Sequence, residues 1–494
     1  MDTSAALPVF DDELAAGLDA PGIGRRRLET EVLPAYVQRC RWFGGKARAP
    51  QRFEVREVIA LGAVRMVFVA VEYADGMAES YQLPLMIARG DLAGELPSAA
   101  LLARGPDAAL CDALHNEASR AAIFRVMACG VESPGAHGKL RGVRGAVLDP
   151  AAESASRLLK VEQSNSAVIY GNRFFLKLYR KLEAGVNPDA EIARFLSERQ
   201  GFRHVPSFAG ALEYEATSGE SQVLGLALAL VSNRGDGWSW ALSEVAAFFD
   251  RVLASAAPAD ADLLGPEVAA RIRQLGTRTG ELHLALAADT EDPAFAPEPF
   301  TPGDAIELAA AIRESATRLA ATLDCLRPWL PQIESRISQL TAADVRSAKS
   351  RTHGDYHLGQ VLDTGADFVI IDFEGEPSRS LAERRRKRSP LRDVAGMLRS
   401  FHYAAHASLV GRADRAALEP WANEWSQAAS RSFLSGWLDA TRGAVFLPAS
   451  TAEIAPLLDA FLIEKALYEI AYEMNNRPDW LPIPINGLER ILNA

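Results

Sequence analysis

The stretch from Thr352 to Gly375 narrows the choice of fold more than any other. It reads Thr352-His-Gly-Asp-Tyr-His-Leu-Gly-Gln-Val-Leu362 and, a few residues on, Val369-Ile-Ile-Asp-Phe-Glu-Gly375. Phe368 to Ile371 is an apolar, β-branched run of strand length, and it places Asp372 at the strand's end. Asp355 belongs to a glycine-containing turn seventeen positions earlier, too polar to be core, and Gln360 follows it by five residues. A phosphoryl-transfer site needs these parts: a carboxylate to orient or deprotonate a hydroxyl, an amide oxygen on a divalent cation, and a second carboxylate between metal and phosphates. Taken singly, each has a plainer use. His-Gly-Asp makes an ordinary turn, and a strand-end Asp makes an ordinary turn residue or helix cap. The order and spacing of the three together point to chemistry.

The rest of the chain limits what kind of protein carries this device. Its 494 residues suffice for about three domains of core. A composition of 48% hydrophobic and 24% charged residues is that of a soluble globular protein. The formal net charge of −11 argues against nucleic acid as the main partner, because neutralising phosphates needs a basic surface. The basic run Arg384–Arg388 sits in that acidic background, and it suits steering of a phosphate-rich donor or contact with acidic helices better than nucleic acid. Cys40, Cys111, Cys129 and Cys325 have no metal-ligand spacing and suit a reducing compartment. No run approaches the ~18 apolar residues of a membrane span, and the N-terminus lacks the basic-then-apolar pattern of a signal peptide. A cytoplasmic protein is expected.

Along the chain, residues 1–27 are Ala-, Asp- and Gly-rich with weak periodicity and are expected to form a flexible leader. A helix over Glu29–Arg41 and strands at Phe53–Leu61, Met66–Tyr73 and Tyr81–Ile87 make residues 28–90 a small N-terminal subdomain. Residues 91–231 read as a connector and a mixed α/β nucleotide-binding lobe. Its polar loop Val161-Glu-Gln-Ser-Asn-Ser166 precedes a hairpin, Ala167–Tyr170 with Arg173–Tyr179, and backbone N–H groups of such a loop wrap phosphates, which nominates Ser164, Asn165 and Ser166. Lys177 sits inside the second strand, and a cation in so apolar a strand needs a partner. Asn187-Pro188 starts a helix with Asn as cap, and Glu191 lies one turn inside it. Lys177 and Glu191 are therefore expected to pair, and the pair resembles the strand lysine and helix glutamate that hold donor phosphates in kinase-like folds. Residues 232–494 are mainly helical. His283 reads as a packed histidine, Asp393 and Arg399 as buttresses of the loop at Asp355, and Trp480-Leu-Pro-Ile-Pro484 as a rigid extended tail.

His353-Gly-Asp355, Gln360 and Ile371-Asp-Phe-Glu374 resemble the catalytic and metal loops of the protein-kinase-like small-molecule kinases. The fuller text resembles the maltokinases. It includes Arg41-Trp-Phe-Gly-Gly-Lys46, Tyr81-Gln-Leu-Pro84, Glu298-Pro-Phe-Thr-Pro302, Asp372-Phe-Glu-Gly-Glu-Pro377 and Ser389-Pro-Leu-Arg-Asp-Val-Ala-Gly-Met-Leu-Arg-Ser400. The resemblance covers residues 30–490 or so. It implies a bilobal α/β (α+β) kinase fold behind an N-terminal cap subdomain, with ATP and Mg²⁺ as cofactors. It further implies transfer of phosphate from ATP to the anomeric hydroxyl of maltose. Asp355 is then the base, Gln360 and Asp372 the metal ligands, and Glu374 a support of the metal loop. The apolar run Leu224–Val231 leads to the adenine hinge, which adds Val231 to the ATP contacts. Gln360 stands where most of the superfamily carries Asn, a departure the maltokinases share. A role in trehalose and glycogen-type α-glucan metabolism follows, with trehalose synthase as a candidate partner.

The acceptor is expected on the helix Leu457–Asn476. Its apolar face is Ile463, Leu467, Ile470 and Met474, and its other side carries Lys465, Tyr468, Glu469, Tyr472, Glu473 and Asn476, with Arg477 just beyond. Aromatic faces beside carboxylates and amides suit a sugar, although the same pattern also makes a solvated helix face. Resemblance to the maltokinase sugar helix favours the first use, and His353 is placed with this acceptor set. Two rivals stay open. One is a kinase of another sugar such as glucosamine, whose cationic amine calls for extra carboxylates. The other is a non-catalytic kinase-like binding module, which the intact set of Lys177, Asp355, Gln360 and Asp372 argues against.

Overall fold

The computed structural model describes residues 7–150, 155–159, 164–254, 263–343, 345–448 and 450–493. Val161, Glu162 and Gln163 of the polar loop lie outside these residues. The chain divides into two compact units: one runs to Glu198 and adds Pro206–Leu230, the other comprises Arg199–Val205 and everything from Val231 on.

The first unit is built on two antiparallel sheets. Strands β1 (Pro50–Leu61), β2 (Val64–Tyr73), β3 (Ala78–Arg89), β4 (Leu101–Arg104) and β5 (Ala108–Asp112) form one in the order β1-β2-β3-β5-β4. Strands β4 and β5 lie past residue 90 yet belong to this same sheet. The second sheet contains β6 (Glu132–Pro134), β7 (Gly138–Arg144), β8 (Ser156–Leu158), β9 (Asn165–Tyr170) and β10 (Phe174–Tyr179). A two-residue β11 (Lys181–Leu182) pairs with β3, and β12 (Phe208–Ala216) and β13 (Ser221–Ala229) complete the second sheet in the order β6-β7-β12-β13-β10-β9-β8. The helix Glu117–Cys129 packs against β7 at backbone range: a Cβ on Gly142 would stand 1.8 Å from the Val126 carbonyl oxygen. Buried polar contacts join the two sheets. Arg180, following β10, pairs with Asp112 of β5 at 2.6 Å, and Asp112 also accepts from the Tyr36 hydroxyl at 3.2 Å.

The expected leader is not loose within the described residues. Asp12–Asp19 is a helix capped by Asp11, and Leu14 and Leu18 are buried with Leu28, Val32 and Leu33. The next helix, Ile23–Arg27, crosses it so closely that a Cβ on Gly24 would lie 1.8 Å from the Glu13 carbonyl oxygen. Such a crossing needs small residues, which is why the text looked featureless.

The second unit is mainly helical. Helices Pro266–Leu286 and Arg415–Ala440 cross at reciprocal glycines, since a Cβ on Gly276 would meet Phe433 O, and one on Gly436 would meet Arg273 O, each at 2.0 Å. Two small antiparallel pairs accompany the helices: β14 (Glu298–Pro299) with β15 (Ala348–Lys349), and the hairpin β16 (Val361–Asp363) with β17 (Phe368–Ile370). The expected extended tail is instead a short turn at Pro478–Trp480 followed by the helix Pro482–Asn493. Its prolines fall in the first turn, where the missing N–H costs nothing. No helix among the described residues is long and apolar enough to cross a membrane.

Candidate active site

The loop that carries Asp355 is held by one face of the helix Leu391–Ala407. The Asp393 carboxylate accepts the backbone N–H of His353 at 2.7 Å and of Gly354 at 3.0 Å. It also takes a 3.1 Å contact from His283 Nε2, while Trp437 Nε1 donates to His283 Nδ1 at 2.9 Å. Burial would raise the Asp393 carboxyl, but the His283 hydrogen bond and the loop N–H groups hold it below the ordinary range. Arg392 donates to the Gly354 carbonyl at 2.9 Å, Ser400 Oγ accepts from Leu358 N at 3.1 Å, and Gly396 leaves room for the Tyr356 carbonyl. The buttressing by Asp393 is direct. Arg399 does not touch this loop through any of these bonds: its guanidinium turns to Glu469.

Asp355 is partly exposed at the tip of this clamp. Its Oδ1 lies 3.1 Å from Lys465 Nζ. Lys465 is also 3.6 Å from Glu376 and 4.8 Å from the Tyr468 ring centroid. Burial alone would weaken the ammonium, but Asp355 and Glu376 raise its pKa. His353, placed with the acceptor set by the sequence, is a support instead. It is 1% exposed, its Nε2 meets the Ile371 carbonyl at 2.9 Å, and its ring packs on Tyr356 and Phe373.

The hairpin β16–β17 brings Gln360 and Asp372 together: Gln360 Nε2 donates to Asp372 Oδ2 at 2.9 Å, and Ile371 N donates to the Gln360 carbonyl at 3.0 Å. Asp372 adopts φ 68°, a left-handed conformation that costs a β-carbon residue about 1–2 kcal/mol. The hairpin is pinned to the helix Pro266–Leu286 by Arg271–Asp363 at 2.6 Å and Arg278–Asp367 at 2.8 Å. Glu374 presents its carbonyl to Arg384 at 3.3 Å. Members of the basic run are thus used locally, Arg386 pairing with Glu307 and Lys387 with Glu298.

The helix Thr451–Asn476 does carry the expected polar residues, but the structure divides them. Lys465 and Tyr468 line the space beside Asp355. Glu469 is turned inward onto Arg399, with Oε2 at 2.7 and 3.0 Å from two guanidinium nitrogens. Glu473 is 1% exposed, accepting from the Tyr403 hydroxyl at 3.2 Å and from Arg477 at 2.7 and 2.9 Å. Neither glutamate is presented to a ligand, because each neutralises an arginine. Tyr472 is exposed, Asn476 donates to the Tyr472 carbonyl, and the Arg477 guanidinium lies 5.6 Å from Tyr472 and 4.5 Å from Trp480 ring centroids. Residues 472, 476, 477 and 480 therefore form an outward polar and aromatic surface.

In the first unit, Lys177 Nζ stands 3.1 Å from Asp189 Oδ2, which also accepts from the Tyr179 hydroxyl at 3.0 Å. Asp189 lies two residues before Glu191, in the first turn of the helix Pro188–Arg194 capped by Asn187. An acidic residue in a helix's first turn has an ordinary role there, so the sequence carries no signal that singles out Asp189. Ser166 is buried, its hydroxyl accepting from Arg180 at 2.8 Å, so its side chain is not turned to phosphates. Ser164 is exposed and Asn165 opens β9. In the second unit, the Val231 carbonyl accepts from Asn233 Nδ2 at 2.9 Å.

A clamped loop with an outward Asp, followed by paired amide and carboxylate on a hairpin, coincides with a family match. Residues 156–430 match the phosphotransferase enzyme family, and residues 36–116 match the maltokinase N-terminal cap domain. The chain belongs to the phosphotransferase enzyme family. A glucosamine kinase from Streptacidiphilus jiangxiensis is 27% identical over 348 residues, 69% of this chain and 74% of that one. Another from Mycolicibacterium smegmatis is 29% identical over 345 residues, covering 68% and 79%. By fold, this phosphotransferase is similar to a glucosamine kinase solved with glucosamine, ADP and inorganic phosphate. The TM-score is 0.65 at 21% identity, over 93% of this chain and 98% of that one. The mixed α/β and helical architecture is therefore that of a kinase-like phosphotransferase with an N-terminal cap, and the relatives by sequence and by fold are sugar kinases.

Proposed function

We propose that this phosphotransferase transfers phosphate from ATP to the anomeric hydroxyl of maltose, giving maltose 1-phosphate. The observation that carries the choice of acceptor is the charge balance around Asp355. Each carboxylate that the helix Thr451–Asn476 turns into this region has its own cation: Glu464 with Arg379 and Arg392, Glu469 with Arg399, Glu473 with Arg477. Asp355 itself faces Lys465. A cationic amino sugar needs an unmatched carboxylate, and these residues supply none, so a neutral sugar fits. The maltokinase cap match supports the same reading.

In this reading the Asp355 carboxylate accepts the hydroxyl proton and orients the attacking oxygen, while Lys465 and the ring of Tyr468 position the sugar. Tyr472, Asn476 and Arg477 offer a surface to a second glucosyl unit. Lys177, held by Asp189, takes phosphate charge of the donor. The oxygens of Gln360 and Asp372 are hard donors of the kind Mg²⁺ takes, and the left-handed Asp372 is a strained conformation of the sort retained at functional sites. When bound, the ion neutralises phosphate charge. With maltose as acceptor, the enzyme stands in α-glucan metabolism, where a maltose-forming trehalose synthase is a suitable partner.

The second reading, glucosamine phosphorylation, rests on the relatives named above. A screen of maltose, glucose, glucosamine and trehalose with ATP and Mg²⁺, followed by phosphorus NMR of the product, separates the two. Maltose with an anomeric phosphate is expected. Trehalose fails because both its anomeric oxygens are in the glycosidic bond. Preference for glucosamine, or a 6-phosphate product, overturns the maltose reading.

A further inference from the structure

Glu376 lies just past the metal loop and is 3% exposed. Its Oε1 is 3.0 Å from Arg392 and 3.6 Å from Lys465, and its Oε2 is 2.6 Å from Arg379. Burial pushes this carboxyl up, yet the charges of Arg392, Lys465 and Arg379 outweigh it and bring the pKa to about 2. Two of these three cations lead to the loop tip: Arg392 donates to the carbonyl of Gly354, and Lys465 meets Asp355 Oδ1 at 3.1 Å.

Glu376 itself has no access to an acceptor. Its carboxylate is covered by Arg379, Arg392 and Lys465, at 2.6, 3.0 and 3.6 Å. Any effect it has on the reaction must pass through its neighbours. Lysine carries a compact charge on a flexible stem with three rotatable donors. Facing Asp355 alone, that ammonium is free to follow the carboxylate or swing toward solvent. A second, immobile carboxylate behind it removes this freedom, and Glu376 is immobile because two arginines hold it.

We propose that Glu376 is a positioning residue for phosphoryl transfer: it anchors Lys465 so that the ammonium holds Asp355 Oδ1 and leaves Oδ2 for the acceptor hydroxyl. This rests on the reading of Asp355 as the group that takes the hydroxyl proton, and not on which sugar is used.

The test is a double-mutant cycle in the full-length protein, with Glu376→Gln, Lys465→Met and the pair, assayed by ADP release with the sugar that the wild type phosphorylates best. Misplacing a reacting group by an ångström costs about 100-fold, so Glu376→Gln is expected to lower kcat by about 10- to 100-fold with the ATP KM within about two-fold. In the Lys465→Met background the same change is expected to cost less than about three-fold, because neighbours that act as one unit are non-additive. Glu376→Asp, which keeps the charge, should recover part of kcat. Multiplicative losses in the double variant overturn the proposal. So does full kcat per folded molecule in Glu376→Gln, or failure of both Glu376 variants to fold, which makes the residue structural. Asp355→Asn run alongside keeps the two readings apart: if it stays active, the assignment of the base has failed. If it is inactive while the cycle is additive, only the role of Glu376 has failed.

Discussion

Glu469 offers the sharpest test of what the helix Thr451–Asn476 is for. If it is a sugar ligand, as its exposed-face spacing suggests, its removal weakens acceptor binding and leaves the fold intact. The structure predicts the reverse for Glu469→Ala. The Arg399 side chain is 3% exposed and that of Glu469 12%, so this is not a surface pair worth at most about 1 kcal/mol. Removing the carboxylate strands a buried guanidinium, which costs about 3–5 kcal/mol. The guanidinium also packs against the backbone of Gly487, where a Cβ would stand 2.0 Å from Arg399 Nη1. For a unit of this size each kcal/mol lowers Tm by about 2–4 °C, so a fall of roughly 6–20 °C is expected. Urea and thermal unfolding followed by tryptophan fluorescence measure it, together with acceptor KM per folded molecule. A Tm within about 2 °C of wild type with acceptor KM raised about ten-fold or more refutes the structural assignment and returns Glu469 to the sugar site.

Other outcomes follow from the same geometry. Asp355→Asn should cut kcat by about 10²–10⁴-fold with little change in nucleotide binding, the usual scale for losing an acid–base group; titration with a fluorescent nucleotide alongside steady-state kinetics checks both halves. Lys177→Met should raise the ATP KM and leave acceptor binding alone, and Asp189→Asn should do the same more mildly because it acts through the lysine; an effect confined to the acceptor KM counts against both assignments. Acid should destabilise the second unit through a buried histidine pair. Burial, aided by Arg399, Arg490 and Arg415, depresses His406 to about 4 despite its Asn423 hydrogen bond, and burial holds the stacked His402 well below 6.5. The unfolded chain then binds more protons than the native one below pH 6.5, so stability is fully present above that pH and falls as pH drops toward about 4. For His406 alone this amounts to roughly 3 kcal/mol across the window. The urea midpoint should therefore fall between about pH 7 and 5, before carboxylates contribute, and fall less in His406→Gln; identical slopes would remove His406 as the cause.

Much of the candidate site was legible in the sequence because its parts are close along the chain. Asp355, Gln360 and Asp372 lie on one turn and one hairpin, so strand periodicity and turn chemistry suffice to place them, and the structure brings Gln360 and Asp372 to 2.9 Å. The cation in the apolar strand at Lys177 likewise announced the need for a carboxylate, although local text alone could not choose Asp189 as a partner. What tertiary structure decided was the use of residues whose partners are far away in sequence. Helical spacing shows that Lys465, Glu469 and Glu473 share a side, but not what covers it. Arg399 and Tyr403 arrive from seventy positions away, the first neutralising Glu469 and the second covering the Glu473 carboxylate that Arg477 pairs. Glu376 and Arg392 are silent in the sequence for the same reason. Burial of a charge is a property of what packs over it, and only the folded chain specifies that.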